Sequence, residues 1–279
     1  MNHICAVARS FLFLPADRLE RLEKALKSGS HMVIVDLEDA VAPDAKSDAR
    51  AALQANWAAL APKERSRIAI RINAASTPWH EEDCHLVGSL ARHDLGGVVL
   101  AKTESLAPLS RLASQAINVP LLPLIESCEG LAALDLIARS PGVVRLLFGH
   151  LDFQLDLGMQ CGPDERELDA VRLAFVMASR RANLAAPVDG VTVDLHSSEQ
   201  LGADILRSVC FGFTGKLCIH PKQVSTVNAS LGPTPAQVEW AHRVLGAARA
   251  HKSGAFQFEG AMVDAPVLAR AKSYLQLPS

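Results

Sequence analysis

The chain has 279 residues, 49% of them hydrophobic and 21% charged, with a formal net charge of −2. That length and apolar share suit one large domain or two small ones with a substantial core, and the near-neutral charge excludes a dedicated nucleic-acid surface, which needs a clustered basic excess. No apolar stretch is long enough to span a bilayer, and Met1 to Arg9 lacks the charged and apolar regions of a secretory signal, so a cytoplasmic protein is expected.

Taken in chain order, the first apolar run is SFLFLP (10–15), followed by a helix over Asp17 to Ser28 with Leu19, Leu22 and Leu26 at helical spacing. HMVIVDLE (31–38) precedes an alanine-rich helix, Ala45 to Leu60, opened by Pro43-Asp44. RIAIRIN (67–73), GGVVLA (96–101), PLLPLIES (120–127) and VRLLFGHLDF (144–153) come next. A helix over Asp164 to Arg181 sets Leu168, Val171, Phe175 and Ala178 on one face. VDGVTVDL (188–195) leads to a helix over Ser197 to Cys210, capped by Ser197 or Ser198, and GKLCIHP (215–221) is the last of eight such runs. One more helix is expected over Thr234 to Lys252, then an irregular turn with Gly260, Asp264 and Pro266 before a closing helix.

The runs are continuous rather than alternating, as in parallel strands buried on both faces. Eight strand–helix alternations in roughly 230 residues fit an α/β fold of the TIM (β/α)8 barrel type, typically about 250 residues long. The rival, an open doubly wound sheet, usually carries a glycine-rich turn after its first strand; here Pro15-Ala16-Asp17-Arg18 stands in that place. The expected organisation is a barrel over 1–232 and a C-terminal helical extension over 233–279, which either caps its own barrel or reaches a neighbouring subunit. Six cysteines form no C-x-x-C pair and match no zinc template, so reduced thiols are expected.

Barrels of this kind gather reactive groups at the C-terminal ends of their strands. The polar residues there are Glu38, Asp39, Arg71, Asn73, Lys102, Glu126, Asp152, Asp194 and His220. Glu126 and Asp152 end consecutive runs. A desolvated carboxylate is costly unless paired or bound to a cation, and Mg²⁺ needs only one or two carboxylates beside water and substrate oxygens, so these two are the expected metal ligands. The competing reading makes each a helix cap or an arginine partner. Arg71, inside an apolar run, needs an anion; its planar fork suits a substrate carboxylate or a structural pair with Glu38 or Asp39. Asp36, Glu38 and Asp39 form an acidic cluster that would hold metal-bound waters or orient Arg71. His220 is either an acid–base residue or a hydrogen-bonded structural one, and Lys102 a Schiff-base lysine only if desolvated.

RSFLFLPADR, VIVDLEDAVAPDAKSDAR, IRIN, PLIES, FGHLDFQLDLG, GFTGKLCIHPKQ and GAMVDAP, in this order, resemble the citrate lyase beta-subunit family, with its malyl-CoA, citramalyl-CoA and citryl-CoA lyases and, more distantly, the hydroxy-keto-acid aldolases. The resemblance spans Arg9 to about Ala271. It implies a homotrimeric or hexameric TIM barrel that uses Mg²⁺ to make or break a carbon–carbon bond beside a carboxylate, on a small acyl-CoA substrate. It makes Glu126 and Asp152 the metal ligands and Arg71 the holder of the keto-acid carboxylate, with Glu38 and Asp39 behind them. Arg9 is set toward the CoA phosphates, and Gly149 and His150 join Arg71 and Arg9 in binding substrate. Asp264 matches an aspartate that enters the active site of an adjacent subunit as an acid–base residue. Two departures stand out: Ala16 follows Pro15 where glycine is usual, and Leu151 replaces a glutamate before Asp152. The alternatives are a CoA-independent aldolase, a malyl-CoA-type thioesterase, or a non-autonomous subunit of a lyase complex.

Overall fold

The computed structural model describes residues 3–250 and 254–276. The chain divides into two compact units, Met1–Val227 and Asn228–Ser279, against the boundary at 232/233 read from the sequence. In the first, eight parallel strands close into a barrel in chain order: β1 (Ser10–Pro15), β2 (Met32–Asp36), β3 (Ile68–Ile72), β4 (Gly97–Leu100), β5 (Leu121–Ile125), β6 (Leu147–Phe148), β7 (Val188–Asp189) and β8 (Gly215–Cys218). β8 returns to pair with β1 through Phe11 and Leu217. The closed parallel sheet expected from the continuous apolar runs is therefore the observed one.

The barrel interior is filled by Phe11, Met32, Ile34, Ala69, Val99, Leu122, Leu124, Leu147, Val188 and Leu217. Cys5 and Ala8, from the segment before β1, pack into the same cluster. The fully buried Arg145 holds them there, its Nη1 donating to the carbonyls of Cys5 (3.1 Å) and Ala8 (2.6 Å). Burial without an anionic partner brings that guanidinium down to about 10.

Two strands are much shorter than their apolar runs. β6 ends at Phe148 because Gly149 opens a helix, His150–Leu157, whose first turn carries Asp152. Asp152 is thus delivered by a helix start, where a carboxylate is favoured by the helix dipole, and not by a strand tip. β7 ends at Asp189, and Asp194 lies on an exposed bend, its Oδ1 accepting the amides of His196 and Ser197. The helix Ser198–Phe211 starts as expected, with the Ser197 hydroxyl accepting the Gln200 amide. The helix expected from Asp164 begins at Asp169 after a short 3-10 turn, and runs to Arg181.

The second unit contains helix Pro235–Ala250, an antiparallel hairpin of β9 (Phe256–Phe258) and β10 (Ala261–Val263), and helix Ala265–Gln276. Residues 251 and 252 of the helix expected over 234–252 lie outside the described residues. The unit has its own small core of Ala241, Val244, Val263 and Ala271, with Trp240 and Tyr274 packed against it. Among the described residues no helix is long and apolar enough to cross a membrane.

Candidate active site

Residues two apart on a strand share a face. The interior residues Phe11, Ile34, Ala69, Leu124, Leu147 and Leu217 are each followed two positions on by Phe13, Asp36, Arg71, Glu126, Gly149 and Ile219. All six of these line one cavity of about 230 Å³ at the C-terminal end of the barrel. The alternation that packs the core thus continues one layer upward, where Asp36, Arg71 and Glu126 bring charge in beside Phe13, Gly149 and Ile219. Asp39, His150, Leu151, Asp152 and Val191 complete most of the wall.

Arg71 is fixed by register. Asp36 on β2 is its directly paired neighbour, and the guanidinium donates from Nε to Asp36 Oδ1 and from Nη2 to Oδ2, both at 2.6 Å. Nη1 lies 2.7 Å from Glu38 Oε2, out of hydrogen-bond alignment, and the group stacks 4.8 Å from the Phe13 ring. Burial works against its charge, but the Asp36 and Glu38 carboxylates outweigh burial and hold its pKa above the ordinary arginine value. Two of its five N–H groups are spent on Asp36. Nη1 is turned to Glu38, and the guanidinium borders the cavity. Asp36, rather than Glu38 or Asp39 alone, is the main partner.

Glu38 is buried, and its second oxygen, Oε1, lies 2.8 Å from Lys102 Nζ. Burial pushes its carboxyl up, against the pull of Arg71 and Lys102. Asp39 is exposed and sits 3.5 Å from the same ammonium. The turn carrying both is held from below by Lys46, whose Nζ donates to the carbonyls of Leu37 and Glu38 (both 2.7 Å) and to Asn73 Oδ1 (2.9 Å). Asn73, expected at the rim, is a buried brace that also takes Asp83 and the Leu37 carbonyl.

Glu126 follows β5 and is 3% exposed. Its Oε2 accepts the Lys102 amide at 2.8 Å; that amide is aimed by a left-handed backbone at Lys102, φ 46°. Its Oε1 lies against Gly149, where a Cβ would come within 2.6 Å of the oxygen and 2.4 Å of Cγ. Burial first, then the charges of Glu38 and Asp152, raise its carboxyl to about 8. Among the described residues no group of three or more His, Cys, Asp or Glu forms a complete metal cage. Two carboxylates beside an open cavity are nonetheless the donor set that Mg²⁺ uses when water and substrate supply the other oxygens, so Glu126 and Asp152 fit that ion.

His150 is buried, its Nε2 3.2 Å from Glu165 Oε1. Its ring fills the place of a side chain at position 190: a Cβ on Gly190 would lie 2.0 Å from Nδ1. Glu165, which no local pattern marks, also pairs with Arg172 and, at 3.0 Å, with Arg207. Burial works against its charge, but His150 and then Arg172 overcome it and bring the carboxyl down to about 2.

Within the barrel unit, Arg9 and His220, like Asn73 and Asp194, are not among the residues that line the cavity. Arg9 lies at the opposite, N-terminal end of the barrel, where its amide donates to His31 Nδ1 and its carbonyl accepts the Lys216 amide at the start of β8. It precedes β1, and a strand's two ends are the two mouths of a barrel. His220 Nδ1 accepts the Lys222 amide, a local turn role. Asp264 belongs to the second unit, where its Oδ1 accepts the Val267 amide at the start of helix Ala265–Gln276.

A closed parallel barrel with an arginine and a cluster of carboxylates around a cavity at the strand C-termini has the layout of a TIM-barrel active site. The chain belongs to the HpcH/HpaI aldolase/citrate lyase family, whose model matches residues 9–221. It is 35% identical to a citrate lyase subunit beta-like protein of Deinococcus radiodurans, over 99% of each chain. It is 31% identical to a (3S)-malyl-CoA thioesterase of Cereibacter sphaeroides, over 95% of this chain and 92% of that one. Among solved structures it resembles CitE of Mycobacterium tuberculosis in complex with magnesium, acetoacetate and coenzyme A, with TM-score 0.81 and 33% identity over 97% and 98% of the two chains.

Proposed function

We propose that the protein is a Mg²⁺-dependent carbon–carbon lyase acting on a 3-hydroxyacyl-CoA of the malyl, citramalyl or citryl type, yielding a 2-keto acid and an acetyl-CoA-type thioester. The observation that carries this is the pairing, in one cavity, of an arginine held by Asp36 and Glu38 with two carboxylates, Glu126 and Asp152. Glu126 and Asp152 would hold Mg²⁺, which supplies Lewis-acid stabilisation of charge on a substrate oxygen. Arg71 presents its unspent N–H groups to the substrate carboxylate, its direction set by Asp36 and Phe13. Gly149 and His150 border the same space and bind the substrate's reacting end. Leu124, Phe148, Val191 and Leu217 keep the cavity wall apolar and limit water.

Asp264 is the proposed proton carrier at the acyl carbon, working in the site of a neighbouring copy of a homotrimer or hexamer. Arg9 has no part in this reading. A thioesterase is the second reading, favoured by the malyl-CoA thioesterase relative; it needs the same carboxylate and metal positions and differs in which bond breaks.

The test is a release assay with purified protein and malyl-, citramalyl- and citryl-CoA, following keto acid and free thiol separately. Keto acid with acetyl-CoA, lost on adding EDTA, is the expected result. Free thiol with intact hydroxy acid establishes the thioesterase instead. No turnover on any of the three overturns both.

A further inference from the structure

Both oxygens of Glu38 are taken by cations from other strands. Oε2 faces Arg71 Nη1 at 2.7 Å and Oε1 faces Lys102 Nζ at 2.8 Å. Asp39, the next carboxylate, is 3.5 Å from the same Nζ. Lys102 also donates its backbone amide to Glu126 Oε2, and it does so from a left-handed conformation that a lysine rarely adopts. One residue therefore touches three of the acidic groups around the cavity, one through its main chain and two through its side chain. Arg71 is anchored to Asp36 and is not free to leave, whereas the Lys102 side chain is 38% exposed and, among the described residues, pairs with Glu38 and Asp39.

We infer that Lys102 is a positioning residue that keeps the metal site open, by aiming Glu126 with its amide and by holding Glu38 and Asp39 out of the metal's coordination with its ammonium. The inference rests on the reading that Glu126 and Asp152 hold Mg²⁺. Its chemistry is simple. Asp36 is pinned by Arg71; a divalent ion beside the other four acidic groups, Asp39, Glu126 and Asp152 lining the cavity and Glu38 next to them, would draw in as many as reach it. Each extra carboxylate occupies a position that a chelating substrate needs. A fixed cation on Glu38 and Asp39 prevents this and also repels the metal, so that the site binds Mg²⁺ less tightly than its carboxylates allow. A residue of merely structural value predicts the opposite, since its loss would loosen the site.

The experiment is calorimetric titration of the full-length protein with Mg²⁺ and, separately, Ca²⁺, with circular dichroism to verify folding. The proteins are the wild type and E126Q, K102M, K102R, E38Q and K102M/E38Q; K102G, which suits a positive φ, serves if K102M does not fold. K102M is expected to bind Mg²⁺ about tenfold more tightly, and Ca²⁺ by a larger factor because Ca²⁺ accepts more carboxylates. K102R should bind as wild type, and the double variant should return toward it. A folded K102M or K102G that binds Mg²⁺ equally or more weakly, beside an E126Q that has lost binding, overturns the role of Lys102 alone. An E126Q that binds as well as wild type overturns the metal assignment and this inference with it.

Discussion

If Glu126 holds the metal, binding must release a proton at neutral pH. In the metal-free protein burial and the neighbouring Glu38 and Asp152 charges set its carboxyl near 8, and a metal ligand must be deprotonated. At pH 7 the group then carries about 0.9 proton, and at pH 9 about 0.1, on simple titration about that value. Titration with Mg²⁺ in buffers of different ionisation enthalpy reads this number directly. The expected release is near one proton at pH 7 and near zero at pH 9, with affinity rising about tenfold per pH unit below 8 and flattening above. E126Q should show neither the release nor the slope. The same raised pKa has a stability consequence: the folded state binds more protons than the unfolded one between the unfolded carboxyl value and about 8. Metal-free wild type should therefore lose stability relative to E126Q as pH rises through that window, by at most about 1.4 kcal/mol per unit. Mg²⁺ binding with no proton release at pH 7 would refute the placement of the ion on Glu126.

Four further outcomes follow from particular contacts. Gly149→Ala puts a methyl within 2.4 Å of Glu126 Cγ; it should cost about 1–3 kcal/mol in urea unfolding and lower Mg²⁺ affinity at least tenfold by calorimetry. Asp36→Asn leaves the Arg71 guanidinium without its bidentate carboxylate and should cost about 3 kcal/mol, with a rise in KM for the carboxylate substrate. Glu165 is held near 2 by His150, Arg172 and their neighbours, so its contribution is present above its unfolded value and is lost as pH falls toward 2. Glu165→Gln should remove that part of the acid-unfolding slope, worth no more than about 3 kcal/mol. Asp264→Asn should lower turnover of CoA thioesters at least a hundredfold while leaving Mg²⁺ affinity unchanged; equal losses in both would place it among the structural residues.

The sequence by itself determined the barrel. Eight continuous apolar runs are buried on both faces in a parallel sheet with helices outside it, but runs apolar on both faces do not say which side chains enter the interior. Arg71 and Glu126 are legible as polar residues at the ends of apolar runs; that Phe13 joins them, each two positions beyond an interior residue, is seen only in the packed barrel. The identity of Arg71's partner did not follow. Asp36 meets it because β2 and β3 pair at that register, and parallel register is a long-range property set by the closing of the whole barrel. The run that ends near Asp152 predicts a strand tip, yet the chain leaves β6 after two residues and a helix begins at His150, next to the Gly149 that packs against Glu126. Glu165 and Lys102 carry no local mark of their roles. One is joined to His150 and Arg207 across helices that are distant in sequence, the other to Glu38 across two strands. Composition and spacing describe what a residue is and which face of its own element it occupies; only the packed fold decides which charges meet, because those meetings are made between elements.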